Sequence, residues 1–297
     1  MLALVAALTL EPSISLASLL PDADAAEGRT LRHGRPPVTA AGPYPAVRGL
    51  NSAHGILLKD LSTGEWLYEH DADRRLPPAS LTKIMSALVI MDSGRLQDLA
   101  TVSRHAAAAP KIHLRLRAGD VLRLEDLLKA MLITSANDAC LAAAEHVGGS
   151  EEGFVELMNA RAEKMGLTNT HFANPCGFDA PDHYATATDL AAMSEAALQH
   201  PVFRTFVRQE LELISTQNSN RTYVLRNTNR LLGKIPGVEG VKTGFTSRAG
   251  RCVIVKVSQN GKDLLLVLLH AKQRWHTAAH LIDYGLQRGR AVPVAAR

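Results

Sequence analysis

Cys252-Val253-Ile254-Val255-Lys256-Val257-Ser258-Gln259-Asn260-Gly261-Lys262-Asp263-Leu264-Leu265-Leu266-Val267-Leu268-Leu269 is the stretch that decides the fold. Two apolar, β-branched-rich runs flank Asn260-Gly261. Asn-Gly is the preferred centre of a tight hairpin turn, because both central residues there take positive φ. Working outward, His54-Gly55-Ile56-Leu57-Leu58-Lys59-Asp60 reads as a strand and Ser62-Thr63-Gly64 as a turn, with Glu65-Trp66-Leu67-Tyr68-Glu69-His70 as the partner strand. Between these end hairpins the pattern is mainly helical, with apolar residues spaced by three and four over residues 124–132, 137–146, 151–165 and 188–199. After Pro201 the signal changes, and residues 211–216 and 222–225 alternate like strands; a last helix is expected over about 274–286. Strands at both ends with helices between predict an α/β (α+β) fold, one antiparallel sheet built from both chain ends with a helical insertion lobe. A cleft between sheet and helices is where a site would lie.

The chain has 297 residues, enough for one large domain or two modest ones. Its 33 basic and 29 acidic residues leave a formal charge of +4, and no basic block is interleaved with aromatics, which argues against a nucleic-acid partner. The 12 His are scattered without a His-Glu-x-x-His spacing, so neither a catalytic metal nor a cofactor is expected. Cys140, Cys176 and Cys252 form no Cys-x-x-Cys and read as buried or free thiols, with a disulfide between two of them allowed if the protein is exported.

The N-terminus, Met1-Leu2-Ala3-Leu4-Val5-Ala6-Ala7-Leu8-Thr9-Leu10 and onward to Ala23-Asp24-Ala25, resembles the apolar core and small-residue cleavage site of a secretory signal, although it lacks a positive start and Glu11-Pro12 interrupts it. Residues 1–25 are therefore read as a signal segment, 26–49 as a Gly/Pro/Arg-rich linker, 50–288 as one catalytic domain and 289–297 as a polar tail. No run reaches the roughly 18 apolar residues that a spanning helix needs.

The chemistry concentrates in three short motifs. Ser80-Leu81-Thr82-Lys83 opens an apolar run that reads as a helix start, so Ser80 and Lys83 project from one face. A serine hydroxyl is a poor nucleophile until a base takes its proton, which a lysine of depressed pKa can do. Taken alone, the pattern also fits a helix cap followed by a solvated lysine. Ser135-Ala136-Asn137 falls in a break between helices, where a hydroxyl and a carboxamide could relay a proton and hold a peptide; the plainer reading is an N-cap at Ser135. Lys242-Thr243-Gly244 precedes the closing hairpin and offers a positive charge, a hydroxyl and a strand edge clear of side chain. Strand alternation sends Lys242 and Thr243 to opposite faces, so both can serve one site only at an edge or a bulge.

Ser-x-x-Lys, Ser-x-Asn and Lys-Thr-Gly in that order are the motif set of penicillin-binding proteins and class A β-lactamases. From about residue 51 to 286 the chain resembles the low-molecular-mass penicillin-binding proteins, the serine D-alanyl-D-alanine carboxypeptidase family of the β-lactamase/transpeptidase-like fold. The resemblance extends to Asn174-Pro175-Cys176-Gly177-Phe178, His183-Tyr184-Ala185-Thr186-Ala187-Thr188-Asp189-Leu190 and Arg226-Asn227-Thr228-Asn229. It implies that Ser80 attacks the D-alanyl carbonyl and becomes acylated, that Lys83 accepts the serine proton, and that Ser135 and Lys242 pass it to the leaving amine. It further implies that Asn137 holds the substrate amide and that Thr243, helped by Arg274, binds the terminal carboxylate. Gly244 clears the strand edge, and the backbone N–H groups of Ser80 and Phe245 form the oxyanion hole.

By the same resemblance the substrates are peptidoglycan stem peptides ending in D-Ala-D-Ala and the covalent inhibitors are β-lactams, in the periplasm or cell-wall space. The C-terminal β domain and amphipathic anchor common in the family are expected to be absent. Glu156-Leu157-Met158-Asn159 resembles the water-activating element of class A lactamases but lies in a well-patterned helix and reads as a helix face; His183 reads as structural, near the cleft. The rival readings are a DD-endopeptidase cutting D-alanyl cross-links and, further off, a non-catalytic sensor of β-lactams or wall fragments. The intact motif residues argue against the sensor.

Overall fold

The structure, a computed structural model, describes residues 53–288. The signal-like segment, the linker, the tail and the first three residues expected for the catalytic domain lie outside the described residues.

The first hairpin forms as the sequence predicts, from β1 (Gly55–Asp60) and β2 (Trp66–His70). A 3-10 turn, Ala79–Thr82, then leads into α1 (Lys83–Asp92). The helical lobe follows as β3 (Leu99–Thr101), α2 (Arg104–Ala107), β4 (Val121–Arg123), α3 (Leu124–Ile133), α4 (Asn137–Gly148), α5 (Glu151–Lys164), α6 (Ala187–Gln199) and α7 (Pro201–Arg208). The chain returns through β5 (Leu211–Ser215) and β6 (Thr222–Arg226) to β7 (Val238–Thr246), β8 (Gly250–Gln259), β9 (Lys262–Leu269) and α8 (Arg274–Gln287).

The five-stranded sheet has the order β2-β1-β9-β8-β7, with every pairing antiparallel. The two chain ends thus build one sheet, as expected. Its turn chemistry is local: Asn260 (φ 53) and Gly261 (φ 73) supply the two positive φ values of a two-residue hairpin that pairs Gln259 with Lys262. The strands of this hairpin are apolar nearly throughout because both sheet faces are covered. Leu57, Ile254, Leu265 and Val267 join the core beneath the helical lobe, whereas Ile56, Leu58, Val253, Val255, Leu264 and Leu266 pack in a second core with α8.

α1 runs through the middle of the helical lobe, against α3, α4, α5 and α6. Burial of Lys83 through Ile90 in succession explains why this run is apolar on every face rather than on one stripe. Two of the longer helices carry side-chain caps at their starts: Gly153 N donates to Ser150 Oγ ahead of α5 and Asp189 N to Thr186 Oγ1 ahead of α6, each at 3.0 Å.

The structure adds to the sequence reading at three points. Residues 201–208, to which the sequence assigns no element, form helix α7: Pro201 sits at a helix N-terminus, where its missing N–H costs nothing, and Phe203, Phe206 and Val207 face the core at helical spacing. Ser135 does not cap α4; Ala136 holds that position and Ser135 precedes it with φ 66. The cysteines are not all thiols. Cys140 and Cys176 are joined by a disulfide across 36 residues, while Cys252 stays free and buried. A spacing that long hides the contact, because folding alone brings the first turns of α4 against residues 174–177.

Candidate active site

The turn that presents Ser80 is fixed from several sides. Ala79, just before it, has φ 51, a left-handed conformation that costs a non-glycine residue about 1–2 kcal/mol. Thr82 Oγ1 donates to Ala79 O at 2.8 Å and also meets His183 Nε2 at 2.7 Å. Because Ala173 N donates to His183 Nδ1 at 3.0 Å, the ring proton sits on Nε2 and points to Thr82. Burial, with a smaller effect of His171, lowers the His183 pKa to about 4, so the ring is a neutral prop under the Ser80 turn.

Two glycines let other backbone approach this turn. A Cβ on Gly177, whose φ is 85, would stand 1.9 Å from Ala79 O. A Cβ on Gly244 of β7 would stand 3.1 Å from Pro78 O and 3.2 Å from Ser80 N. The Ser80 turn is therefore pressed against the edge strand that carries Lys242-Thr243-Gly244.

Lys83 is completely buried at the start of α1. Its Nζ lies 3.1 Å from Ser80 Oγ, 2.8 Å from Asn137 Oδ1 and 2.6 Å from the Cys176 carbonyl. Burial pushes its pKa well below that of a free lysine, and the nearby Lys242 charge pushes it the same way. A neutral amine has two N–H donors and one lone pair. With Asn137 Oδ1 and Cys176 O taking the two hydrogens, the lone pair is left for the Ser80 hydroxyl proton.

Asn137 begins α4. Its Nδ2 donates to Pro110 O at 2.8 Å and to Lys111 O, tying the loop before residue 116 to the helix. Asp138 fastens the same loop, accepting from Leu114 N at 3.1 Å and Leu116 N at 3.0 Å. The Ser135 hydroxyl is buried, has no hydrogen-bond partner among the described residues and stands on left-handed backbone. Such a group costs about 1–3 kcal/mol for its missing bond, on top of the backbone strain. Backbone outliers at both Ala79 and Ser135 concentrate strain on the two hydroxyl-bearing segments of the cleft.

On β7, Lys242 opposes Ile254 and Thr243 opposes Val253, so strand alternation does separate them. Both are buried, and β7 is an edge strand of the sheet. Thr243 Oγ1 pairs with Thr228 Oγ1 at 2.6 Å across this edge. Burial, and then the Arg274 guanidinium, lower the Lys242 pKa to about 7. Arg274 lies beside the motif: its Nη1 donates to Gly244 O at 2.8 Å and Cys252 O at 3.0 Å, and its guanidinium stacks on Trp275. Phe245 follows with its ring 58% exposed. Thr246 closes the strand, its Oγ1 donating to Asp179 Oδ1 at 2.6 Å and so linking sheet and loop.

Ser80, Lys83 and Asn137 are brought into direct contact, Gly244 packs against the Ser80 turn, and Lys242 acts on Lys83 through charge. Glu156 is exposed on α5, away from these contacts, as a helix face should be. The Cys176 carbonyl and the Thr228 hydroxyl escaped the motif reading. Both lie in segments, 174–178 and 226–229, that the sequence marks only as family-like, and a backbone carbonyl has no side-chain signature at all.

The architecture is that of serine DD-peptidases. It superposes on the Streptomyces K15 DD-transpeptidase with a TM-score of 0.75 at 29% identity, covering 79% of this chain and 97% of that one. For penicillin-binding protein D2 from Listeria monocytogenes, solved in its ampicillin-bound form, the TM-score is 0.71 at 28% identity, covering 82% and 100%. The chain belongs to the Peptidase S11 family, D-alanyl-D-alanine carboxypeptidase, whose pattern it matches over residues 45–273. It is 34% identical over 255 residues to the D-alanyl-D-alanine carboxypeptidase DacF of Bacillus subtilis, matching 83% of this chain but spanning only 65% of that relative. It is 31% identical over 269 residues to a D-alanyl-D-alanine endopeptidase of Pseudomonas aeruginosa, covering 88% of this chain and 86% of the relative.

Proposed function

We propose that this chain is a serine-type D-alanyl-D-alanine carboxypeptidase that trims peptidoglycan stem peptides through an acyl-enzyme on Ser80. The observation that carries the reading is the buried Lys83 amine 3.1 Å from Ser80 Oγ, with two acceptors occupying its hydrogens. Lys83 removes the Ser80 proton as Oγ bonds to the carbonyl carbon of the penultimate D-alanine. The carbonyl oxygen gains negative charge, which the Ser80 and Phe245 backbone N–H groups stabilise; one such donor is worth about 3 kcal/mol. The peptide C–N bond then breaks, and the proton reaches the departing D-alanine amine through Ser135 and Lys242. Water afterwards hydrolyses the ester and restores Ser80.

Asn137 orients the substrate amide. Thr243, paired with Thr228, binds the terminal carboxylate, and the nearby charges of Lys242 and Arg274 favour it. A β-lactam enters the same site and acylates Ser80. Its ester leaves slowly, because Glu156 lies on an exposed helix face and supplies no base for water. Export to the periplasm or cell-wall space is supported by the signal-like N-terminus and by a structural disulfide, which persists in oxidising compartments.

Incubating the protein with a pentapeptide ending in D-Ala-D-Ala and, separately, with a cross-linked muropeptide dimer tests the assignment. Free D-alanine from the pentapeptide is the expected product. Cleavage of the dimer alone would replace it with an endopeptidase, and inertness toward both would remove the enzymatic reading.

A further inference from the structure

The two hydrogen-bond acceptors that orient Lys83 belong to different parts of the chain. Asn137 Oδ1 is on the first turn of α4, and the Cys176 carbonyl is in the loop spanning residues 174–178. One helical turn beyond Asn137 stands Cys140, and its sulfur is bonded to that of Cys176. The covalent link therefore ties α4, which carries one acceptor, to the loop that carries the other. Its surroundings are tight: Cys140 Sγ lies 3.4 Å from Pro175 O, a carbonyl that also accepts from Ser86 Oγ of α1 at 2.6 Å. Asn174 Oδ1 organises the loop internally by accepting from Cys176, Gly177 and Phe178 N–H groups, but these bonds do not reach α4.

We propose that the Cys140–Cys176 disulfide is a positioning device for Lys83, so that the rate of Ser80 acylation depends on the redox state of this bond. The inference rests on reading Lys83 as the base. With the bond closed, Asn137 Oδ1 and Cys176 O stay at a fixed separation, hold the two amine hydrogens and aim the lone pair at Ser80 Oγ. With the bond open, the loop drifts from α4, one acceptor is lost, and the amine is misaimed. Reduction is a two-electron step: a dithiol is oxidised to its own disulfide, the Sγ–Sγ bond breaks, and each sulfur takes up a proton to become a thiol.

The test compares three forms of the full chain: refolded with oxidised glutathione, reduced with dithiothreitol, and carrying Cys140→Ala with Cys176→Ala. Thiol titration in denaturant should find one thiol, Cys252, before reduction and all three after it. Acylation by a fluorescent penicillin is then followed by stopped flow across pH. The reduced and doubly substituted forms should acylate about tenfold or more slowly, the scale of a small misplacement of a reacting group. Their encounter affinity should stay within about twofold, a split that loss of the fold would not produce. Their acid limb should also move to higher pH, as loosening hydrates an amine now held neutral by burial and by Lys242. Equal rates and unmoved limbs in all three forms would overturn the proposal, as would three thiols in the oxidised preparation. An oxidised chain that penicillin leaves untouched would instead overturn the base assignment beneath it.

Discussion

Lys83 Nζ donates to Asn137 Oδ1 at 2.8 Å although the two residues lie 54 positions apart in sequence. This bond joins the Ser-x-x-Lys and Ser-x-Asn motifs into one device. It makes the base depend on an amine that can be neutral, which no guanidinium can be. Lys83→Arg keeps the charge and much of the length but cannot accept a proton. Acylation by penicillin should fall by about 10²–10⁴, the usual worth of a positioned base, with the circular dichroism spectrum retained.

The close approach at Gly244 predicts a graded outcome from two alanine substitutions. Gly244→Ala puts a methyl 3.1 Å from Pro78 O and 3.2 Å from Ser80 N on backbone that alanine can adopt. The Ser80 turn must shift by a fraction of an ångström, so acylation should drop about tenfold or more while the melting temperature changes little. Gly177→Ala meets a carbonyl at 1.9 Å from left-handed backbone, and no small shift relieves that. This variant should fail to give soluble folded protein; ready recovery of it with full activity would contradict the packing described.

Stability should depend on acid through His183. Its pKa of about 4 in the folded chain lies below the 6.5 of an exposed histidine, so between those values the unfolded chain binds more protons. Stability is therefore complete above about pH 6.5 and falls on acidification to pH 4, by about 3 kcal/mol from this group at the usual conversion of pKa to free energy. Denaturant titrations at several pH values would show the slope. His183→Asn should flatten it over that window even though the variant is less stable at pH 7.

Lys242 predicts the opposite end of the scale. Its pKa of about 7 lies below the 10.5 of a free lysine, so the unfolded chain again binds more protons between the two values, and stability rises with pH across that range. Lys242→Met removes a buried charge and should stabilise the fold near pH 7 while impairing reaction with carboxylate-bearing substrates. A destabilised Lys242→Met chain at that pH would count against the burial of this amine.

The sheet was legible because its signals are local. Asn260-Gly261 specifies its own turn, and the strands around it carry a uniform apolar code. The long helices of the lobe are legible from periodicity, whereas the short β3, α2 and β4 and the eight-residue α7 are too brief to carry a clear period. The candidate site divides along the same line. Ser80, Lys83, Asn137 and Lys242 were visible as spaced side chains. The disulfide, the Cys176 carbonyl and the Thr228–Thr243 pair were not, because each depends on segments that meet only after folding.

Acylation of Ser80 is the step on which the rest of the chemistry depends. Intact-mass spectrometry after incubation with benzylpenicillin, followed by peptide mapping, tests this most directly. One penicilloyl adduct per chain on the peptide containing Ser80, absent from Ser80→Ala, is the predicted result. An adduct that survives in Ser80→Ala, or none on the unmodified chain, would contradict it.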